Sequence, residues 1–164
     1  MQDVFDHIQA AYGSLDKPNF SFRKQQYDAR PYDELITSVI RELGVTAEEY
    51  TDINDDSCFG YTLSGDGGTW ILELSMVGPF VVFSRFTENG RRILSADDRD
   101  LTPGEQGIMD LLAGSKLRLM RRKELEQPVD LQLFNTVPEN VRLYQVLFSD
   151  IDILPWSFSE DPDG

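Results

Sequence analysis

The residue types that most often carry covalent or acid–base chemistry are scarce in this chain, and their spacing does not assemble a catalytic set. His7 is the sole histidine. It falls in an amphipathic stretch near the N-terminus, where an exposed or partly packed imidazole is a simpler reading than a general base. Cys58 is the sole cysteine, and beside Phe59 at the head of a strand-like run it reads as a small buried thiol. One Cys and one His cannot complete a zinc shell, and a lone Cys forms no intrachain disulfide. Asp52-Ile53-Asn54-Asp55-Asp56 opens like a calcium loop, D-x-N-x-D. Ser57 stands where that loop needs glycine, however, and Leu63 where it needs a bidentate glutamate. A solvated acidic loop, or one that meets a cationic partner, is favoured. Ser64-Gly65-Asp66-Gly67-Gly68 lacks the lysine and the helix of a phosphate loop, and Asp66 would repel phosphate, so a hairpin turn is expected. No metal and no cofactor is expected.

Carboxylates are the abundant resource. The chain has 29 acidic and 15 basic residues, a formal charge of −14 and a pI near 4.3. Between Arg41 and Arg85 there is no Lys or Arg, yet Glu42, Glu48, Glu49, Asp52, Asp55, Asp56, Asp66 and Glu73 all fall in that window. The charge is densest from Glu48 to Asp56. Such a field repels nucleic acid and anionic membrane and attracts cationic proteins or metal ions. With so many acids, a chance pair suited to glycoside chemistry has almost no specificity. The basic run Lys116, Arg118, Arg121, Arg122 and Lys123 reads as the solvated rim of an edge strand.

The elements that must position these groups can be traced along the chain. The length of 164 residues fits one domain, and 40% hydrophobic residues make a core feasible. Phe5, Ile8 and Tyr12 lie at helical spacing, with Gly13 as a stop, followed by an irregular arm to Arg30. Leu35, Ile36, Val39, Ile40 and Leu43 share one helical face, with Asp33 and Glu34 at the N-terminal end and Gly44 after it. After an acidic loop, runs at Phe59–Leu63, Trp70–Leu74 and Phe80–Phe86 alternate with Gly- and Pro-bearing turns and predict an antiparallel meander. Asn89-Gly90 then leads to a fourth strand at 91–94. Thr102-Pro103-Gly104-Glu105 is a capping box that starts a helix carrying Ile108, Leu111 and Leu112. Leu117 and Leu119 alternate like an edge strand, and Pro128 argues against a helix through 122–127. The run 141–148 is ambiguous by period, and its β-branched residues and Tyr144 favour a strand. Residues 157–164 are expected to form a frayed acidic tail. The expected architecture is α+β, an antiparallel sheet of about five strands with helices packed on one face. The N-terminus lacks a secretory pattern and no apolar run spans a bilayer, so a cytoplasmic protein is expected.

Several stretches together resemble small acidic immunity proteins of bacterial polymorphic-toxin systems. They are Gly68-Thr69-Trp70-Ile71-Leu72-Glu73-Leu74 through Gly78-Pro79-Phe80, Leu101-Thr102-Pro103-Gly104-Glu105, and Tyr144 to Asp150 with Leu154-Pro155-Trp156. The resemblance covers about residues 32–156 and rests on aromatic and turn patterns. It implies a stoichiometric, non-catalytic inhibitor that binds a cognate toxin domain and occludes its active site.

An anionic surface fits that role, because a toxin acting on nucleic acid needs a cationic face that the inhibitor can match. The candidate contacts are Glu48, Glu49, Asp52, Asp55 and Asp56, with Tyr50 as an aromatic anchor. Asp150 and Asp152 could serve as contacts or as structural residues, and Pro155 and Trp156 as a cap on the core. The competing expectation is a small acidic hydrolase or ligand-binding domain, which requires a deep pocket with convergent carboxylates of perturbed pKa.

Overall fold

Alternation of apolar residues along three consecutive strands builds the centre of the molecule. The computed structural model describes residues 1–156; the expected tail at 157–164 lies outside them. Helices α1 (Gln2–Tyr12), α2 (Ser21–Ala29) and α3 (Asp33–Leu43) precede strands β1 (Thr46–Glu49), β2 (Cys58–Gly65), β3 (Gly68–Ser75), β4 (Phe80–Thr87) and β5 (Gly90–Ile93). Helix α4 (Pro103–Gly114), strand β6 (Arg118–Leu119), and short helices α5 (Arg122–Leu125) and α6 (Leu143–Leu147) follow. The sheet runs β1-β2-β3-β4-β5 with every neighbour antiparallel. β6 adds to the first half of β4 in parallel, Phe80 beside Arg118. The fold is α+β.

The register assigns the two faces. Phe59, Leu74 and Val81 stand in one cross-strand row, and Tyr61, Leu72 and Phe83 in the next. This face is covered by helices: Tyr32, just before α3, sets its ring edge-on to Phe59 at 5.8 Å, and Glu105 of α4 accepts from Trp70 Nε1 at 2.7 Å. Helix α4 starts as the sequence predicts, with Thr102 Oγ1 accepting from the Glu105 amide and Glu105 returning to the Thr102 amide. Gly44 ends α3 in the left-handed region at φ 63°, which a side chain would disfavour.

The opposite face displays Cys58, Gly60, Thr62, Ile71, Glu73 and Ser75, a polar set for an inner surface. The C-terminal segment covers part of it: Ser75 Oγ donates to the Leu147 carbonyl at 2.7 Å, and Tyr144 Oη donates to Glu73 at 2.7 Å. From α1, His7 meets Phe80 edge-on at 5.4 Å, and Tyr12 Oη donates to the Val146 carbonyl at 2.5 Å.

Five expectations are corrected by this packing. The arm before Arg30 contains α2, which has few apolar residues and is held by distant partners: buried Arg23 donates to Ser57 Oγ at 2.9 Å and to the Asn54 carbonyl at 3.1 Å. Glu48 and Glu49 lie in strand β1 and not in a loop, because Thr46–Glu49 pairs with Tyr61–Ser64. Arg122–Leu125 forms a single helical turn ahead of Pro128. Residues 143–147 are helical and not a strand. All five are buried, and Gln145 caps the turn by accepting from the Arg142 amide at 2.9 Å. In α1 the buried face is Val4, Ile8 and Tyr12, with Phe5 turned outward.

Candidate functional site

The C-terminal segment leaves part of the polar face open, and the gap is a cleft of about 570 Å³. Its floor is drawn from β2 to β5, through Thr62, Ile71, Glu73, Phe86 and Arg91, one wall is the chain from Tyr50 to Cys58, and the other is the segment from Tyr144 to Pro155. Each wall has a local cause. Tyr50 continues the β1–β2 ladder, its amide donating to the Gly60 carbonyl at 3.0 Å, and Gly60 donates in turn to Thr51 Oγ1 at 3.1 Å. The Tyr50 ring then folds over Gly60, where a Cβ would lie 2.4 Å from Cζ.

The acidic loop is closed by its own side chains. Asp52 accepts from the Asn54 amide at 3.0 Å, and Asp56 accepts from the Asp52 amide at 2.8 Å. A bridge between Asp56 and Ser149 then stitches the loop to the C-terminal segment, with Ser149 Oγ donating to Asp56 at 2.7 Å.

The floor holds a buried charge pair. Glu73 is 1% exposed and Arg91 8% exposed. Arg91 Nη2 donates to one oxygen of Glu73, Tyr144 Oη donates to the other, and Cys58 Sγ lies 4.0 Å from the second oxygen. Burial works against the charge of Arg91, but Glu73 holds its pKa above the ordinary value. Burial, reinforced by Glu73, pushes the Cys58 thiol and the Tyr144 phenol well up. A thiol kept protonated is a poor nucleophile, and both oxygens of the Glu73 carboxylate are already engaged. Arg91 Nε is buried without a hydrogen-bond partner among the described residues. The floor is therefore a buried, hydrogen-bonded charge pair held between β3, β5 and the C-terminal segment.

The mouth is aromatic and acidic. Tyr50 is 43% exposed and Phe86 47% exposed. The outer face of the Tyr50 ring is open, while burial, then Glu73 and Cys58, raises the pKa of its phenol end. Burial also raises the pKa of Asp56, against the hydrogen bonds from Asp52 and Ser149.

The sequence-predicted contact residues separate into four groups. Tyr50 and Asp56 line the cleft, with Asp52 exposed on the loop beside them. Glu48 is exposed on β1, whereas Glu49 is engaged by Arg30 at 2.5 Å, which lowers its pKa. Asp55 accepts from Asn135 Nδ2 at 2.7 Å, and Asp152 from Asn140 Nδ2 at 2.9 Å. Asp150 is corrected to a structural role: it is fully buried and accepts from the Phe134 and Asn135 amides and Thr136 Oγ1, so its carboxylate offers no surface to a partner. Trp156 is buried, as a cap on the core should be, and donates to Glu126 at 2.7 Å.

The basic run is also engaged, Arg118 by Glu124, Arg121 by Asp97 and Arg122 by Glu126. No three His, Cys, Asp or Glu side chains converge as a metal site among the described residues. No helix among them is long and apolar enough to cross a membrane.

Glu73, Arg91, Tyr144 and Phe86 are the site residues that the sequence reading did not single out. One signal was available: Glu73 interrupts Trp70-Ile71-Leu72 and Leu74, and a lone charge inside a buried strand requires a partner. Arg91, two strands further on in β5, is that partner. Comparison with known proteins finds no matching family model, no matching curated protein and no matching solved structure.

Proposed function

We propose that the protein works by binding, as an immunity protein that docks on a basic toxin domain and blocks its active site. The observation that carries this reading is the grouping of half-exposed Tyr50 with Asp52 and Asp56 at the mouth of the cleft, within a molecule of charge −14. Interfaces concentrate their energy in aromatic anchors, and complementary charge speeds encounter. The protonated thiol of Cys58 and the fully engaged Glu73 support binding over turnover. Co-expression with a basic toxin domain encoded beside this chain tests the reading. Rescue of the cells and co-purification are expected, and failure of both rejects it.

The cleft itself favours a second reading, a small-ligand-binding domain. Its volume of about 570 Å³ lies within the roughly 300–1,000 Å³ typical of ligand pockets. That reading predicts a rise in melting temperature with a small ligand when no protein partner is present.

A further inference from the structure

We infer that the cleft is the seat of a lysine or arginine side chain projecting from the partner domain. This rests on the binding reading above and adds the chemistry of the contact. Three independent features select a cation on an aliphatic stem. The first is charge: two carboxylates, Glu73 and Asp56, and one guanidinium, Arg91, line the cleft. The charges of Glu73 and Arg91 cancel, with Arg91 Nε alone left without a hydrogen-bond partner among the described residues, so the remaining negative charge belongs to Asp56. Among the described residues Asp56 has no cationic partner, only the Ser149 hydroxyl and the Asp52 amide. A half-buried carboxylate in that condition gains most from an incoming cation.

The second feature is the Tyr50 hydroxyl, which makes no hydrogen bond to any described residue although Tyr50 lines the cleft together with Asp56 and Glu73. It is a free acceptor for an ammonium or guanidinium donor. The third is the aromatic wall. Tyr50, Phe86 and Tyr144 line the same cleft as Ile71, Ile151 and Pro155. Ring faces attract cations, and the aliphatic residues suit the methylene stem of Lys or Arg. A neutral apolar occupant would use the walls and leave Asp56 and the Tyr50 hydroxyl without partners. An anionic occupant would meet Asp56 directly.

The probes are Nα-acetyl-lysine methylamide and Nα-acetyl-arginine methylamide, titrated into the ¹⁵N-labelled full chain and followed by backbone amide shifts. The norleucine and glutamate analogues serve as neutral and anionic controls. Shifts at Tyr50, Cys58 and Gly90 with the cationic probes are expected, with binding about ten-fold tighter than for norleucine. Asp56→Asn should remove that preference. Because Asp56 also closes its own loop, Thr62→Lys is the second variant: it places a tethered ammonium in the cleft and should abolish probe binding while Thr62→Val retains it. Equal binding of norleucine, tighter binding of the glutamate analogue, or unshifted cleft amides overturns the inference.

The two readings can fail separately. Neutralisation of a toxin domain with affinity unchanged in Thr62→Lys overturns the cation seat and leaves immunity standing. Cleft shifts with the cationic probes but no rescue from the toxin support the cation seat and reject immunity.

Discussion

The Tyr50 ring lies directly on the backbone of Gly60, so close that a Cβ at position 60 would fall 2.4 Å from Tyr50 Cζ. Glycine at this point of β2 makes room for one wall of the cleft. Gly60→Ala therefore displaces the ring, which is 43% exposed and has solvent into which to swing. Alanine also lowers the entropy of the unfolded chain. Stability should change by less than about 1 kcal/mol while affinity for the cationic probes falls. Urea denaturation alongside the probe titration checks this, and a large loss of stability would show that the ring is fixed in place.

Removing one member of the buried pair should be far more costly. Glu73→Leu leaves the Arg91 guanidinium and the Tyr144 hydroxyl without their acceptor. A loss of about 3 kcal/mol is expected. The double variant Glu73→Leu with Arg91→Met removes both charges and should recover most of it. A double-mutant cycle by urea denaturation measures the coupling.

Acid stability should depend on Glu105. Burial opposes its charge, but Arg85, the Thr102 amide and Trp70 Nε1 hold its carboxyl down at about 2, against an ordinary value of 4.5. A depressed carboxyl contributes stability that is fully present above its unfolded pKa and is lost as the pH falls through the folded one. The loss should therefore run from about pH 4.5 down to about pH 2. It should amount to about 2 kcal/mol, a discounted figure because the Arg85 side chain of the pair is 19% exposed. Glu105→Gln should lose that amount at neutral pH and flatten the acid limb of the stability curve.

Cys58 should be inert in the folded protein. It is buried, and its thiol is pushed up by burial and by Glu73 and Asp56. Alkylation by iodoacetamide should be about 100-fold slower than for an unfolded control. Rapid modification under native conditions would mean that the cleft floor opens.

Charge neutralisation on the exposed acids tests steering. Glu48→Gln with Asp52→Asn should slow association with a basic toxin domain about three-fold at low salt and flatten the salt dependence. The dissociation rate should hardly change. Glu49→Gln should instead register in stability, because its carboxylate is held by Arg30.

Much of this architecture is legible without coordinates. The α3 face from Leu35 to Leu43, the β2–β3–β4 meander and the Thr102–Glu105 capping box follow from apolar periodicity, turn residues and capping chemistry that are written in consecutive residues. Local pattern and elementary backbone chemistry are enough for those. The overall anionic charge and the scarcity of nucleophile and metal ligands are likewise legible, being properties of composition. Tertiary structure alone decided the rest. Helix α2 and strand β1 have too few apolar residues to declare themselves and exist through Ser57, Asn54 and the β2 ladder. Within the run 141–148, residues 143–147 became helical because one turn buries its whole circumference between α1 and the sheet, an environment that no local period encodes. The acidic loop likewise changed meaning. Pairing and burial withdrew Glu49 and Asp150, while the fold brought Tyr50 and Asp56 to a cleft with Glu73 and Arg91. A carboxylate's role is set by what lies within a few ångströms of it, and that proximity is created by folding.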